Sequence, residues 1–262
     1  MINRYEGKSV RLGVLASGSR GNAFVVEHDG SAVFIDAGLS GKRHMKRMIR
    51  AGFDDIRPLA LLLSHEHSDH VSGAGVIARK WSIPVVATNG TVVASRGKLG
   101  KVPEIEILPN GSTVDFGSFT VSAFSVPHDA ADPSGFIVRW DAGKLGIATD
   151  LGRAGPLVHD SLSNCTAVVL EFNHDEDMLW EGSYPWRLKQ RIASTTGHLS
   201  NCAASRLLSA VWSRELRTCV LAHLSQENNL PHLAEKASRK VAGGSVSIHT
   251  GMQDESLPAL HI

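Results

Sequence analysis

The chain has 262 residues, 42% hydrophobic and 20% charged, a composition that fits a folded globular protein and excludes a disordered one. The formal net charge is +1, so composition alone does not advertise a nucleic-acid partner as a strongly basic chain would. No apolar run reaches the ~20 residues that cross a bilayer.

In chain order, Val10–Ala16, Ala23–His28 and Ser31–Asp36 are rich in strand-forming residues, and Asp29-Gly30 marks a hairpin between the second and third. Lys42–Ala51 reads as a basic helix. Its Lys42, Arg43, Lys46, Arg47 and Arg50 suit a solvated face or, alternatively, phosphate contacts. Leu59–Leu63 is short and wholly apolar, the pattern of a buried strand. Asp69 is placed to cap a helix running to Arg79 or Lys80. Strand signals follow at Ile83–Ala87, Ile105–Leu108, Phe119–Val126, Gly135–Trp140, Lys144–Thr149 and Ala167–Glu171. Pro185–Ile192 and Ser200–Trp212 read as helices, Thr218–Ala222 as a strand, Pro231–Lys240 as a helix and Ser245–His249 as a last strand. Strands followed by mixed strands and helices, twice over, predict two sheets face to face with helices outside. No repeat or long Pro/Gly linker divides the chain, so a single domain over 1–262 is expected. Met1–Lys8 has no apolar h-region. Cys165, Cys202 and Cys219 form neither a disulfide framework nor a metal knuckle. A cytoplasmic location follows as the expectation.

Histidine is the unusual count, at 13. Directly after the apolar run Leu61-Leu62-Leu63 comes Ser64-His65-Glu66-His67-Ser68-Asp69-His70. In an extended segment residues i and i+2 point the same way, so His65 and His67 can share an ion. Asp69 and His70 lie where the chain turns and can face a neighbouring ion. Imidazole and carboxylate ligands suit Zn2+, Mn2+ or Fe2+. Two ions need more ligands, and His128, Asp150 and His223 each follow an apolar strand, where functional residues of layered α/β proteins gather. A carboxylate such as Asp150 can bridge two cations.

The order His65-x-His67-x-Asp69-His70, then His128, Asp150 and His223, resembles the ligand pattern of the metallo-β-lactamase superfamily. The segments Ser17-Gly18-Ser19-Arg20-Gly21-Asn22, Ile35-Asp36-Ala37-Gly38, Pro127–Pro133, Ala148–Gly152, Tyr184-Pro185-Trp186, Gly197–Asn201 and Ala222–Ser225 resemble its YycJ (WalJ) branch. The resemblance implies a four-layer αββα sandwich and two divalent metal ions. It also implies phosphodiester hydrolysis, as a 5′-to-3′ exonuclease on DNA with a role in mismatch repair. His65, His67 and His128 are then expected to hold one ion and Asp69, His70 and His223 the other, with Asp150 as the bridge.

Asp36 resembles the aspartate that orients a ligating imidazole. Glu171 and His198 resemble the carboxylate–imidazole pair that protonates the leaving oxygen in ribonuclease Z-like phosphodiesterases, a sound general-acid device. Asp69, Glu171 and His198 are thus the expected catalytic side chains, and His174 is a neighbour of undecided role. Ser17–Asn22 could cradle phosphate through its amides. Basic side chains at Lys42–Arg50, or at Arg187, Lys189 and Arg191, are candidates for DNA contact. Two other readings stay open: a lactonase, thioesterase or β-lactamase of the same superfamily, and a non-enzymatic di-iron redox or binding protein.

Overall fold

The computed structural model describes residues 10–242 and 244–262. The first half runs β1 (Arg11–Ala16), β2 (Ala23–His28), β3 (Ser31–Ile35), α1 (Gly41–Arg50), β4 (Arg57–Leu62), α2 (Ser68–Val71), α3 (Ala74–Trp81), β5 (Val85–Ala87), α4 (Asn89–Leu99) and β6 (Ile105–Ile107). Next come β7 (Thr113–Asp115), β8 (Thr120–Ser125), β9 (Ser134–Trp140), β10 (Gly143–Ala148), α5 (Pro156–Leu162), β11 (Ala167–Glu171), α6 (Glu176–Glu181), α7 (Trp186–Ile192), α8 (Asn201–Val211), β12 (Thr218–Ala222), α9 (Pro231–Ala242), β13 (Ser247–Thr250) and β14 (Leu260–His261).

Among the described residues the strands form two seven-stranded sheets, ordered β14-β1-β2-β3-β4-β5-β6 and β13-β12-β11-β10-β9-β8-β7. The period-2 alternation of strands decides which residues fill which layer. In β3, Val33 and Ile35 join the core between the sheets. Ala32 and Phe34 face the other way, against Met48 of α1 and Ile77 of α3. In β11, Ala167 and Val169 enter the central core, while Val168 and Leu170 pack with Leu207 and Leu208 of α8. Both faces are covered, which is why these strands read as continuous apolar runs. The result is the expected αββα sandwich. Among the described residues, no helix is long and apolar enough to cross a membrane.

Strand direction sets the position of the site. β3 and β4 are parallel, as are β10, β11 and β12. β8 is antiparallel to β9, and β9 to β10, so β8 runs with β10. The C-terminal ends of β3, β4, β8, β10, β11 and β12 therefore meet at one edge of the sandwich, where α/β proteins place their ligands.

The helix expected from Asp69 onward is two helices. Gly73 ends the first because its backbone meets the turn after β3: its amide donates to Ala37 O at 2.7 Å. A Cβ there would come within 2.0 Å of Leu39 O. His67, not Asp69, occupies the N-cap position of α2, and Asp69 lies in its first turn. Helix α4 had no clear signal, since Asn89-Gly90-Thr91-Val92-Val93 mixes turn and strand formers. Its N-cap Thr88 accepts from Thr91 N, and burial of Val92, Ser95 and Leu99 holds it.

Candidate metal centre

The seven expected ligands converge. His65, His67 and His128 present ligand atoms within 4.8 Å of one another, as do Asp69, His70 and His223, and as do His65, His70 and Asp150. Asp150 thus touches both groups: its Oδ2 lies 3.2 Å from His70 Nε2, and its Oδ1 lies 3.5 Å from His223 Nε2 and 3.7 Å from His128 Nε2.

The outward nitrogens of His70, His128 and His223 are tied, which fixes their inward ones. Asp36 Oδ2 takes the Nδ1–H of His70 at 2.7 Å, leaving the Nε2 lone pair toward the centre. Asp36 is itself held by Ser64, whose backbone N–H and hydroxyl both donate to it at 2.8 Å. His128 Nδ1 donates to Gly197 O at 3.2 Å, and its Nε2 faces His67 Nδ1 at 3.3 Å. Glu171 Oε1 contacts the Nδ1 of His223 at 3.1 Å and of His198 at 2.8 Å. Oε2 of Glu171 accepts from Leu151 N and Leu199 N, both at 2.9 Å. Such outer partners set ring orientation and ligand basicity.

Three site residues, Asp36, Asp150 and His223, have φ of 57°, 58° and 55°. Left-handed backbone costs a non-glycine residue about 1–3 kcal/mol and concentrates at functional sites. In each case the strand has just ended and the chain turns to aim the side chain into the cleft.

A cation fits this set. Asp150 Oδ2 and His65 Nε2 are buried polar atoms without a hydrogen-bond partner among the described residues, a state that is costly unless something else satisfies them. Asp150 Oδ2 and His70 Nε2 lie 3.2 Å apart across the same gap. The charge balance agrees. Burial pushes Asp69 and Asp150 up, but neighbouring His70 and His223 hold both below the carboxylate range. Burial opposes charge on His223, yet Asp150, Asp69 and Glu171 raise it to about 10. Burial and then His70 hold His65 well below its usual value. The carboxylates stay ionised and draw positive charge inward. Buried imidazole and carboxylate donors of this kind take divalent metal.

Glu171 and His198 are the second expected pair. Burial pushes Glu171 up, but the His198 and His223 imidazoles hold it down at about 2. His198 lines the same cavity as His67, Asp69, His128, Asp150 and His223, a space of about 370 Å3. His174 lies outside the cluster. Its Nδ1 contacts Asn173 Oδ1 at 3.3 Å, burial lowers it to about 4, and its backbone bridges to Ser200, the N-cap of α8.

Two expectations change. In Ser17–Asn22 the amides of Ser17, Gly18, Arg20, Gly21 and Asn22 are already hydrogen-bonded, Gly18 N to Asn22 Oδ1, Gly21 N to Gly18 O and Arg20 N to Gln253 Oε1, which leaves the loop short of the successive free N–H groups a phosphate cradle needs. The loop holds Asn22, whose Nδ2 reaches His70 Nε2 at 3.0 Å and Asp69 Oδ2 at 3.3 Å. Lys189 is buried and donates to Trp180 O at 2.7 Å, so it is not available to a phosphate. The sequence reading passed over the roles of Asn22, Ser64 and Asn173; Asn173 Nδ2 donates to His223 O at 2.9 Å. Only Ser64 carried a local signal, since it directly precedes His65; Asn22 and Asn173 reach the site through the fold.

A family model described as the metallo-beta-lactamase superfamily matches residues 16–223. The chain is 37% identical to a Bacillus anthracis protein named exodeoxyribonuclease YycJ, over 88% of this chain and 89% of that one. It is 36% identical to exodeoxyribonuclease WalJ of Streptococcus pneumoniae, over 86% and 85% respectively. Among solved structures, the metallo-beta-lactamase fold protein YhfI from Bacillus subtilis superposes with a TM-score of 0.73 at 13% identity, covering 95% of this chain and 99% of that one. That last likeness concerns the fold.

Proposed function

This chain belongs to the metallo-beta-lactamase superfamily, and from that premise we propose that it cleaves DNA phosphodiester bonds from a 5′ end. It is a metal-dependent hydrolase. The names of its relatives support a DNA substrate, and the resemblance to the YycJ branch supports the 5′ polarity. Both sheets contribute to the centre, which supports reading residues 1–262 as one catalytic domain.

The observation that carries the reaction class is the Glu171–His198 pair, 2.8 Å apart and beside the ligand cluster. Phosphodiester hydrolysis expels a poor leaving group, an alkoxide that needs a proton. Glu171 holds the Nδ1–H of His198, so the Nε2–H of the imidazolium is the proton to be given. As water adds to phosphorus and the bridging P–O bond breaks, that proton passes from His198 Nε2 to the departing oxygen, and one proton of the attacking water then restores the imidazolium. Glu171 stabilises the imidazolium and stays ionised. Its hold on His223 places both imidazoles with one carboxylate.

The ligand assignment we favour is His65, His67 and His128 for one ion, and Asp69, His70 and His223 for a second, with Asp150 between them. Mn2+, Zn2+ or Fe2+ would suit these donors. Such ions supply Lewis acidity toward a phosphoryl oxygen and lower the pKa of water. Asp69 is the least buried carboxylate of the set, with 20% of its side chain exposed, so it would hold the ion from the side open to solvent.

Duplex DNA labelled at one 5′ end, incubated with Mn2+ and resolved by length over time, tests the reading. Early release of label as mononucleotide or short oligonucleotide is expected. Shortening from the 3′ end, or intact DNA alongside fast thioester or lactone hydrolysis, would contradict it.

A further inference from the structure

Helices α6 and α7 carry a feature that the hydrolytic centre does not use. Trp180, in the last turn of α6, and Trp186, the first residue of α7, bring their rings within 5.4 Å at 44°. Trp186 is 63% exposed and Trp180 42%. Tryptophan is highly buried on average, so two in contact on a surface call for an explanation. The buried Lys189 ties α7 to Trp180 O, so the pair is held in place without being covered.

The same stretch forms a wall of the reaction site. Tyr184, Leu188, Arg191 and Ile192 line a cavity of about 210 Å3 that reaches His198. That cavity shares Ser19, Arg191 and His198 with the one holding the expected metal ligands. Residues 180–192 thus carry the exposed tryptophans on the outer surface and, at Tyr184, Leu188, Arg191 and Ile192, the cavity wall next to the general acid; the tryptophans themselves lie outside that cavity.

Charge alone does not make this stretch attractive to a polyanion. Arg187 is exposed, but Arg191 is paired with Asp129 at 2.6 Å, and α6 contributes Glu176, Asp177 and Glu181. What it offers is π surface. Aromatic side chains hold nucleotides by stacking, which is independent of base identity and available only where bases are unpaired.

We propose that Trp180 and Trp186 form a stacking platform for unpaired nucleotides of the strand being cut, so that the enzyme engages single-stranded DNA or a frayed end. This rests on the nuclease reading above and adds the strand state and the residues that recognise it.

The test is binding without turnover. Fluorescein-labelled oligothymidylate and an abasic strand of equal length are titrated with protein in EDTA, with anisotropy as the readout. The two strands carry the same phosphates and differ only in bases. The wild type is expected to prefer oligothymidylate by about tenfold. Trp186→Ala and Trp180→Ala should shrink that preference, and Trp186→Phe should keep most of it. Variants that melt at the wild-type temperature but retain the full preference would overturn the proposal. So would a smaller sedimentation coefficient for the alanine variants with unchanged DNA binding, which would assign the tryptophans to a second copy of the chain. A wild type that cleaves DNA yet binds both strands alike sinks the platform alone. One that neither cleaves nor binds DNA sinks the nuclease reading as well.

Discussion

The carboxylate of Glu171 receives the Nδ1–H of His198 at 2.8 Å, and through the same oxygen it meets His223 Nδ1 at 3.1 Å. One buried group thus serves the proton donor and an expected metal ligand together. His198→Ala removes only the donor. It should cut the rate on DNA by ~10²–10⁴ while metal content stays at the wild-type value. Bis-p-nitrophenyl phosphate has a good leaving group, so its hydrolysis should fall much less. Equal losses on both substrates would remove His198 from the proton transfer and make it a phosphate clamp.

Asp36 acts one bond further out. It orients His70 and is itself fixed by Ser64. Asp36→Asn keeps the shape and removes the charge. Loss of such a partner typically weakens metal binding 10–100-fold, and competition against a chelator reads that directly. Wild-type affinity in the variant would show that Asp36 serves only the turn.

Gly38 shows how closely the turn after β3 and the metal loop approach. A Cβ on it would come within 1.6 Å of Asp69 O and 2.9 Å of Asn22 N, both backbone atoms. Gly38→Ala must push these segments apart. Overpacking of this kind costs about 1–3 kcal/mol, measurable as a lower urea midpoint, and activity should fall with it because Asp69 moves. A variant with unchanged midpoint and rate would contradict this.

Much of the fold was legible because burial on both faces makes strands read as apolar runs. The ligands were legible because they follow those runs directly. The remainder was set by tertiary contact. The break between α2 and α3 comes from the backbone of Gly73 meeting Ala37 and Leu39, which no local pattern encodes. The left-handed turns at Asp36, Asp150 and His223 fall on residues other than glycine, so composition gave no warning of them. Asn22 sits 48 positions before His70, and only the fold makes them neighbours.

His44 predicts how acid affects stability. It is fully buried on α1, edge-on to Phe34 with ring centroids 5.2 Å apart, and neither ring nitrogen has a partner among the described residues. Burial lowers its pKa from 6.5 to about 4. The unfolded chain then binds more protons between these values, so this contribution to stability is present above pH 6.5 and is lost as pH falls toward 4. Between pH 7 and 5 it amounts to about 2 kcal/mol. Urea unfolding in EDTA at both pH values should show a smaller loss for His44→Leu than for the wild type. Equal losses would mean that His44 is protonated at little cost, contrary to its burial.

The proposed chemistry needs two ions held by these seven side chains. Crystals grown with Mn2+ and measured for anomalous scattering test it most directly. Two separate peaks are expected at the sandwich edge, one among His65, His67 and His128, the other among Asp69, His70 and His223, with Asp150 touching both. A single peak, or peaks bound elsewhere with these side chains uninvolved, would contradict it.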